Sequence, residues 1–407
     1  MNRADPNRGA ALPSLRRGKS PMMPFGRETR YVLRLYLQRV SVAAAVIAIV
    51  VLALDLMIFL TWVMSDHTAA SGLEGGARLA YYMLLRLAYI LASIIPIATV
   101  VGIIWAEFAL ASAQERIMIA NSGRPPALSL LPALLVGLIL GACQYATLAY
   151  LRPASVQAQS QADFRYFGAG SKKGSGTGFV WIALNDAFVH TRIQFDEPAT
   201  LRGPIVYGLD KQGRLVLTVS AEKAIPTKQS GIWHFETGSW WRAPNVGGAG
   251  GNEGMRERAF TDSDVTLALD PVWLDNFGIN AKFVNQTALG HLANASSGVP
   301  EQFRYENAYQ ARLATIAYLV GLALMSASLG LALLGPGTNF TAALKIAGAG
   351  YAVHVLTNVF STLGEYGYME TVVAQWLLPA GLIIFSGGYV LREHLRVRSA
   401  LAANGLA

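Results

Sequence analysis

Six apolar runs divide this chain: Ser41–Met64, Leu84–Trp105, Leu128–Leu151, Ile316–Leu334, Ala342–Leu363 and Val372–Leu391. Each is close to the roughly 20 residues that cross a bilayer as a helix. The composition agrees. Of the 407 residues only 14% are charged and 53% are hydrophobic, whereas a soluble domain carries about 25% charged residues. The chain is expected to be an integral membrane protein.

Charge then orients the runs. Among the first forty residues, Arg3, Arg8, Arg16, Arg17, Lys19, Arg27, Arg30, Arg34 and Arg39 face only Asp5 and Glu28. The other end is also basic, with Arg392, His394, Arg396 and Arg398. Basic flanks stay on the cytoplasmic side, and an even number of spans puts both termini there. Residues 1–29 read as a disordered basic tail, because they are rich in Pro, Gly and Ser, and 395–407 as a second cytoplasmic tail. The net charge of +8 is read as membrane anchoring, not as nucleic-acid binding.

The polar segment Ala154–Glu306 differs in kind. Phe179–Leu184, Ala187–Ile193, Pro204–Leu209, Arg214–Val219, Gly231–Phe235 and Val265–Leu269 alternate as strands do. Lys211-Gln212-Gly213 reads as a hairpin turn and Gly247–Gly254 as a flexible loop. The expected fold is a membrane α-helical bundle of six transmembrane helices, three on each side of an inserted extracytoplasmic all-β sandwich or jelly roll. Its domains are 30–153, 154–308 and 309–394.

Ala106–Pro126, on the cytoplasmic side between the second and third runs, has helical character. Residues 106–123 offer good helix formers, charges at Glu107, Glu115 and Arg116, and apolar contacts at Ile117 and Met118. Gly123 serves as a C-terminal cap and Pro125-Pro126 as a stop. A short amphipathic helix fixed to two spans can work as a lever; the plainer possibility is a solvated turn.

Other residues stand out less sharply. Asp55 and Arg86 are ionisable groups in or near apolar spans, where such groups often pair. Arg78, Arg86 and Arg312 lie near the outer ends of spans and suit phosphate binding or interfacial anchoring. His354 and Asn358 share a helical face, which favours interhelical hydrogen bonding. Pro96 should kink the second span. The lone Cys143 excludes an internal disulfide. Gly170–Ser175 lacks the spacing of a phosphate-binding loop, so the chain should not hydrolyse ATP itself. No metal, cofactor or catalytic residue is expected.

Several segments resemble the lipopolysaccharide export permeases of the LptF/LptG family. They are Ile95-Pro96 with Gly102, and Gln114-Glu115-Arg116-Ile117-Met118-Ile119-Ala120-Asn121-Ser122-Gly123. Leu363-Gly364-Glu365-Tyr366-Gly367 followed by Trp376-Leu377-Leu378-Pro379 adds a third. Arg116 stands where an apolar residue is common in the family, and Asn121 where alanine is favoured. Ala268-Leu269-Asp270-Pro271 and Phe179-Val180-Trp181-Ile182 are more like the LptG branch. The resemblance implies a permease in the inner membrane of a Gram-negative bacterium, paired with a sister permease. It also implies a dimer of a cytoplasmic ATPase, which binds ATP and Mg, and a periplasmic jelly-roll bridge that receives lipopolysaccharide. Glu115, Arg116, Met118, Ile119, Asn121, Ser122 and Gly123 would then dock on the ATPase, and Asp55, Arg78, Arg86 and Arg312 would meet the lipid. The alternative is a non-transporting mechanotransducer that couples an ATPase to the β-domain. A membrane-anchored periplasmic enzyme lacks any visible site.

Overall fold

Each apolar run falls in a longer helical stretch, with only Met64 and Leu334 lying one residue past a helix end. The computed structural model describes residues 26–65, 72–121, 125–229, 231–243, 257–295, 298–335, 337 and 340–403. The expected disordered tail up to residue 25, the 404–407 end, Ser122 and Gly123, and the Gly247–Gly254 loop lie outside the described residues.

Helix α1 (Arg27–Val63) is followed by α2 (Gly75–Ser112) and the short α3 (Glu115–Asn121). Then α4 (Pro126–Ser129), α5 (Leu131–Ala146), a π-helical turn at Thr147–Leu151 and α6 (Arg152–Gln161) follow one another. The six strands come next: β1 (Gly176–Ala183), β2 (Ala187–Gln194), β3 (Thr200–Leu209), β4 (Leu215–Pro226), β5 (Ile232–Arg242) and β6 (Arg258–Thr266). After them run α7 (Pro271–Asp275), α8 (Gln286–Ala293), α9 (Gln302–Leu333), α10 (Phe340–Glu365) and α11 (Thr371–Ala403). Among the described residues, six helical stretches are long and apolar enough to cross a membrane: α1, α2, Ala127–Gln161, α9, α10 and Thr371–Arg396.

The bundle is uneven. The apolar windows of α2 and α9 are each 61% buried, whereas those of α1 and α10 are only 17% and 11% buried. Small residues let the inner helices approach. Gly137 and Gly141 form a G-x-x-x-G pair on α5. A Cβ built at Gly137 would lie 2.6 Å from the Cα of Val320, and one at Gly141 2.9 Å from that of Ile316, so only glycine admits the backbone of α9 there.

Pro96 sits inside α2 and removes the amide that would bond the carbonyl four residues earlier. That carbonyl, of Ala92, instead accepts from Nε2 of the buried Gln144 on α5 at 2.6 Å. An unpaired carbonyl in hydrocarbon is costly, so the proline and the glutamine form one structural unit.

The β region is a single antiparallel sheet with its strands hydrogen-bonded in sequence order. This differs from the expected sandwich or jelly roll, which needs strands crossing between sheets; the described strands form a meander. One face is apolar. Val189, Ile193, Leu201, Val219, Trp233 and Phe235 pack inward, and Trp273 and Leu274 of α7 with Leu289 and Leu292 of α8 cover them. The turn at Lys211-Gln212-Gly213 closes the β3–β4 hairpin. There the Asp210 carboxylate accepts from the Gln212 and Arg214 amides and Gly213 takes φ +75°. Strands β4 and β5 run past their expected ends, because polar residues such as Lys223 and Glu236 face each other across the ladder. β6 overlaps the expected Val265–Leu269 stretch only at Val265 and Thr266 and begins earlier, at Arg258; Leu267 and Leu269 are buried beyond its end.

The two sheet edges differ in chemistry. β1 exposes Phe179 and Trp181, whereas β6 exposes Arg258, Asp262 and Asp264. His234 on β5 lies 3.0 Å from Asp264 Oδ1 and 3.5 Å from Asp262 Oδ1. Its hydrogen bond to Asp264, helped by the charges of both carboxylates, raises its pKa above the ordinary imidazole value against the opposing effect of desolvation. The pair is therefore complete below the ordinary imidazole pKa and is lost as pH rises through the raised one. NMR titration of His234 should show an elevated midpoint that falls back in Asp264→Asn; an unchanged midpoint would remove the pairing.

Candidate coupling and lipid sites

The lever segment is a helix set at an angle. α2 ends at Ser112, Gln114 takes φ +59°, and α3 begins at Glu115. On α3, Ile117 is 43% and Met118 65% exposed, and Asn121 is exposed too. The Glu115 carboxylate accepts from the Tyr31 hydroxyl of α1 at 2.9 Å. Ile119 is partly buried against the α1–α2 core. Arg27, Glu28, Tyr31, Glu115, Met118 and Ile119 line an open depression of about 460 Å³. An apolar knob beside a carboxylate suits docking into a partner groove.

Arg116 faces the other way. Its Nε donates to Glu107 Oε2 at 2.8 Å, its Nη2 donates to the Tyr36 hydroxyl at 2.9 Å, and the same Nη2 bonds Glu107 Oε1. The Tyr36 hydroxyl also donates to Glu107 Oε1. Glu107 is 1% exposed and Tyr36 fully buried. Arg116, which the sequence grouped with the partner-facing residues, has its guanidinium bonded within the chain. Glu107 was legible only as one more helix charge and Tyr36 not at all. The spacing conceals the contact, because residues nine apart on one continuous helix lie on opposite faces. The turn at Gln114 brings them together.

At the far end of the bundle, Asp55 of α1 is the centre of a second buried cluster. Arg86 of α2 bonds it through Nε at 2.8 Å and Nη2 at 2.7 Å, the Tyr82 hydroxyl donates at 2.5 Å, and Arg165 lies at 3.5 Å. The Arg86 guanidinium stacks 4.5 Å from the Tyr89 ring, as does that of Arg152 at 4.8 Å. Tyr89, Phe167 and Phe283 pack ring against ring beside them. Arg86 Nη1 and Arg152 Nε are buried with no hydrogen-bond partner among the described residues.

The other two arginines are occupied. Arg78 donates to the carbonyls of Leu73 at 2.7 Å and Ser65 at 3.1 Å, closing the α1–α2 connection. Arg312 is 2% exposed and donates to Gln286 Oε1 at 2.9 Å and the Val284 carbonyl at 2.6 Å, tying α9 to the segment entering α8. Both bond backbone or side-chain oxygens within the chain. The Tyr318 hydroxyl lies 3.1 Å from His354 Nδ1, bonding α9 to α10, and Asn358 is 3.4 Å from the other ring nitrogen.

Asp270 of the Ala268–Pro271 segment caps α7, accepting from the Val272 and Trp273 amides, with Pro271 in the first turn. Glu365 forms an ion pair with Lys282 at 2.7 Å, and Gly364 packs against Asn307. Among the described residues no group of three or more His, Cys, Asp or Glu is arranged to hold a metal ion. A family model described as lipopolysaccharide export system permease LptF/LptG matches residues 30–393. Comparison with curated proteins found no match.

Proposed function

Because the chain belongs to the LptF/LptG family of lipopolysaccharide export permeases, we propose that it is one membrane subunit of an ATP-driven complex. This complex extracts lipopolysaccharide, or a related glycolipid, from the inner membrane and delivers it to a periplasmic bridge of jelly-roll domains. In this reading membrane domains at 30–153 and 309–394, three spans each, flank a periplasmic β-domain at 154–308. Both termini and α3 are cytoplasmic. ATP and Mg are bound by a partner ATPase dimer that docks on Glu115, Met118, Ile119 and Asn121 of α3 and on Ser122 and Gly123. Asp270-Pro271 and Phe179–Ile182 favour the LptG branch.

The observation that carries the reading is the bareness of α1 and α10, the least buried of the six spans. Val46, Ile49, Leu54 and Met57 of α1 and Tyr351 and Val359 of α10 stand exposed. A sister permease facing the two helices would enclose an apolar lipid cavity between them. At its outer end, the Asp55–Arg86 pair, together with Arg86 Nη1 and Arg152 Nε, which have no hydrogen-bond partner among the described residues, directs positive charge toward an anionic head group. Arg78 and Arg312 enter this reading as anchors of that end.

Delivery then needs a sheet edge. Charged residues guard a strand against pairing and apolar ones invite it, so β1 with Phe179 and Trp181 is the docking edge and β6 the protected one. The test places photo-crosslinking residues at Trp181 and at Asp262 in the complex reconstituted with lipopolysaccharide, ATPase and bridge. Trp181 should give a discrete bridge adduct and Asp262 none. An adduct at Asp262 alone would reverse the edge; no ATP-dependent transfer of lipid to the bridge would reject the export reading.

A further inference from the structure

We infer that Arg116, Glu107 and Tyr36 form an internal latch that makes the coupling helix and the spans beneath it move together, so that Arg116 transmits force instead of contacting the ATPase. This rests on the proposal that α3 is the docking helix.

Three observations support the latch. First, the cluster joins separate elements: Arg116 on α3, Glu107 near the end of α2 and Tyr36 on α1. Second, a fourth element packs on it. A Cβ built at Gly330 of α9 would lie 2.7 Å from Glu107 Cγ, so the α9 backbone rests on the glutamate stem. Third, the contact is buried and forked. Two guanidinium nitrogens meet the two carboxylate oxygens, a geometry that resists rotation as well as separation.

The mechanical consequence follows from the connection. α3 is joined to α2 only through Ala113 and Gln114, and Gln114 adopts a left-handed backbone. A turn of two residues would let α3 swing freely if nothing held it. The fork from Arg116 removes that freedom. Tilting α3 must pull Glu107, and with it α2, while Tyr36 draws α1 along; otherwise a buried ion pair must break, which is costly.

The test uses the full complex with its ATPase and three readouts: ATPase retained, ATP hydrolysed, and lipid released per ATP. Arg116→Met should keep the ATPase bound at wild-type stoichiometry and hydrolysing, yet release about tenfold less lipid per ATP, the scale set by one charge-assisted bond. Arg116→Lys keeps the charge but loses the fork and should fall between. The swap Glu107→Arg with Arg116→Glu should restore coupling, which also guards against simple misfolding of the single variant. Loss of the ATPase from Arg116→Met would make Arg116 a partner contact and overturn the latch. Unchanged lipid release per ATP would overturn it too. If the wild-type chain itself retains no ATPase, the docking proposal fails first, and that failure is distinct.

Discussion

Replacing Arg86 by Met should cost about 3–5 kcal/mol of stability, the usual consequence of leaving one member of a buried ion pair alone. Asp55 is 8% exposed and takes two bonds from Arg86, so the substitution strands a carboxylate at the α1–α2 contact. Tyr82 remains at 2.5 Å and Arg165 at 3.5 Å, which places the loss toward the lower end of that range. Removing both members, Asp55→Leu with Arg86→Met, leaves no charge to strand, and most of the stability should return. Thermal unfolding of the purified permease in detergent measures both, and single variants that melt with the wild type would show that the pair stabilises nothing. The double variant also separates two roles. If it is stable but no longer exports, the arginine meets the lipid head group; if it exports normally, the pair is structural.

What could be read from the sequence depended on how local the signal was. Long apolar runs are local: α2, α10 and α11 contain the run that announced them, and α1 and α9 contain all but its last residue. Strand alternation is local too, so β2 was found nearly whole and β3 from Pro204 to its end, without its start at Thr200. Polar stretches that become strands only because a partner strand faces them were not, which is why β4 and β5 extend past Val219 and Phe235. Strand order is not local at all, and a meander and a jelly roll share the same alternating runs.

The sites follow the same division. Glu115 and Met118 stood out because a charge beside an apolar residue on a short helix is a local pattern, and the structure leaves Met118 exposed on α3. Glu107 was not, because its partner lies on the opposite face by helical counting and reaches it only through the left-handed Gln114. Gln144 is similar. The proline that frees the Ala92 carbonyl is visible in the chain, but the side chain that satisfies it is 52 residues away. Gly137 and Gly141 carried a readable spacing whose facing helix the sequence does not name.

Glu115→Lys is expected to release the ATPase from an otherwise intact permease. In the proposed complex the force of ATP hydrolysis enters through protein exposed on the ATPase side, and α3 is a short helix joined directly to a span. Its two charged groups are divided by direction: Arg116 is committed inward, which leaves Glu115 as the charge beside the exposed Ile117 and Met118. Breaking a buried charged contact at an interface costs about 2–5 kcal/mol, some 30-fold or more in affinity. Reversal of the charge also leaves the Tyr31 hydroxyl without its carboxylate acceptor, a half-exposed bond whose loss is minor beside that. Tyr31→Phe removes that internal bond alone and should retain the ATPase, so the two variants separate a docking role from a local one. The measurement is ATPase stoichiometry on the purified membrane subunits, with melting temperature as the control for folding. Glu115→Lys that keeps its ATPase at wild-type stoichiometry and exports lipid normally would exclude α3 as the docking helix. Loss of the ATPase in Tyr31→Phe as well would instead assign the docking geometry to the α1–α3 contact.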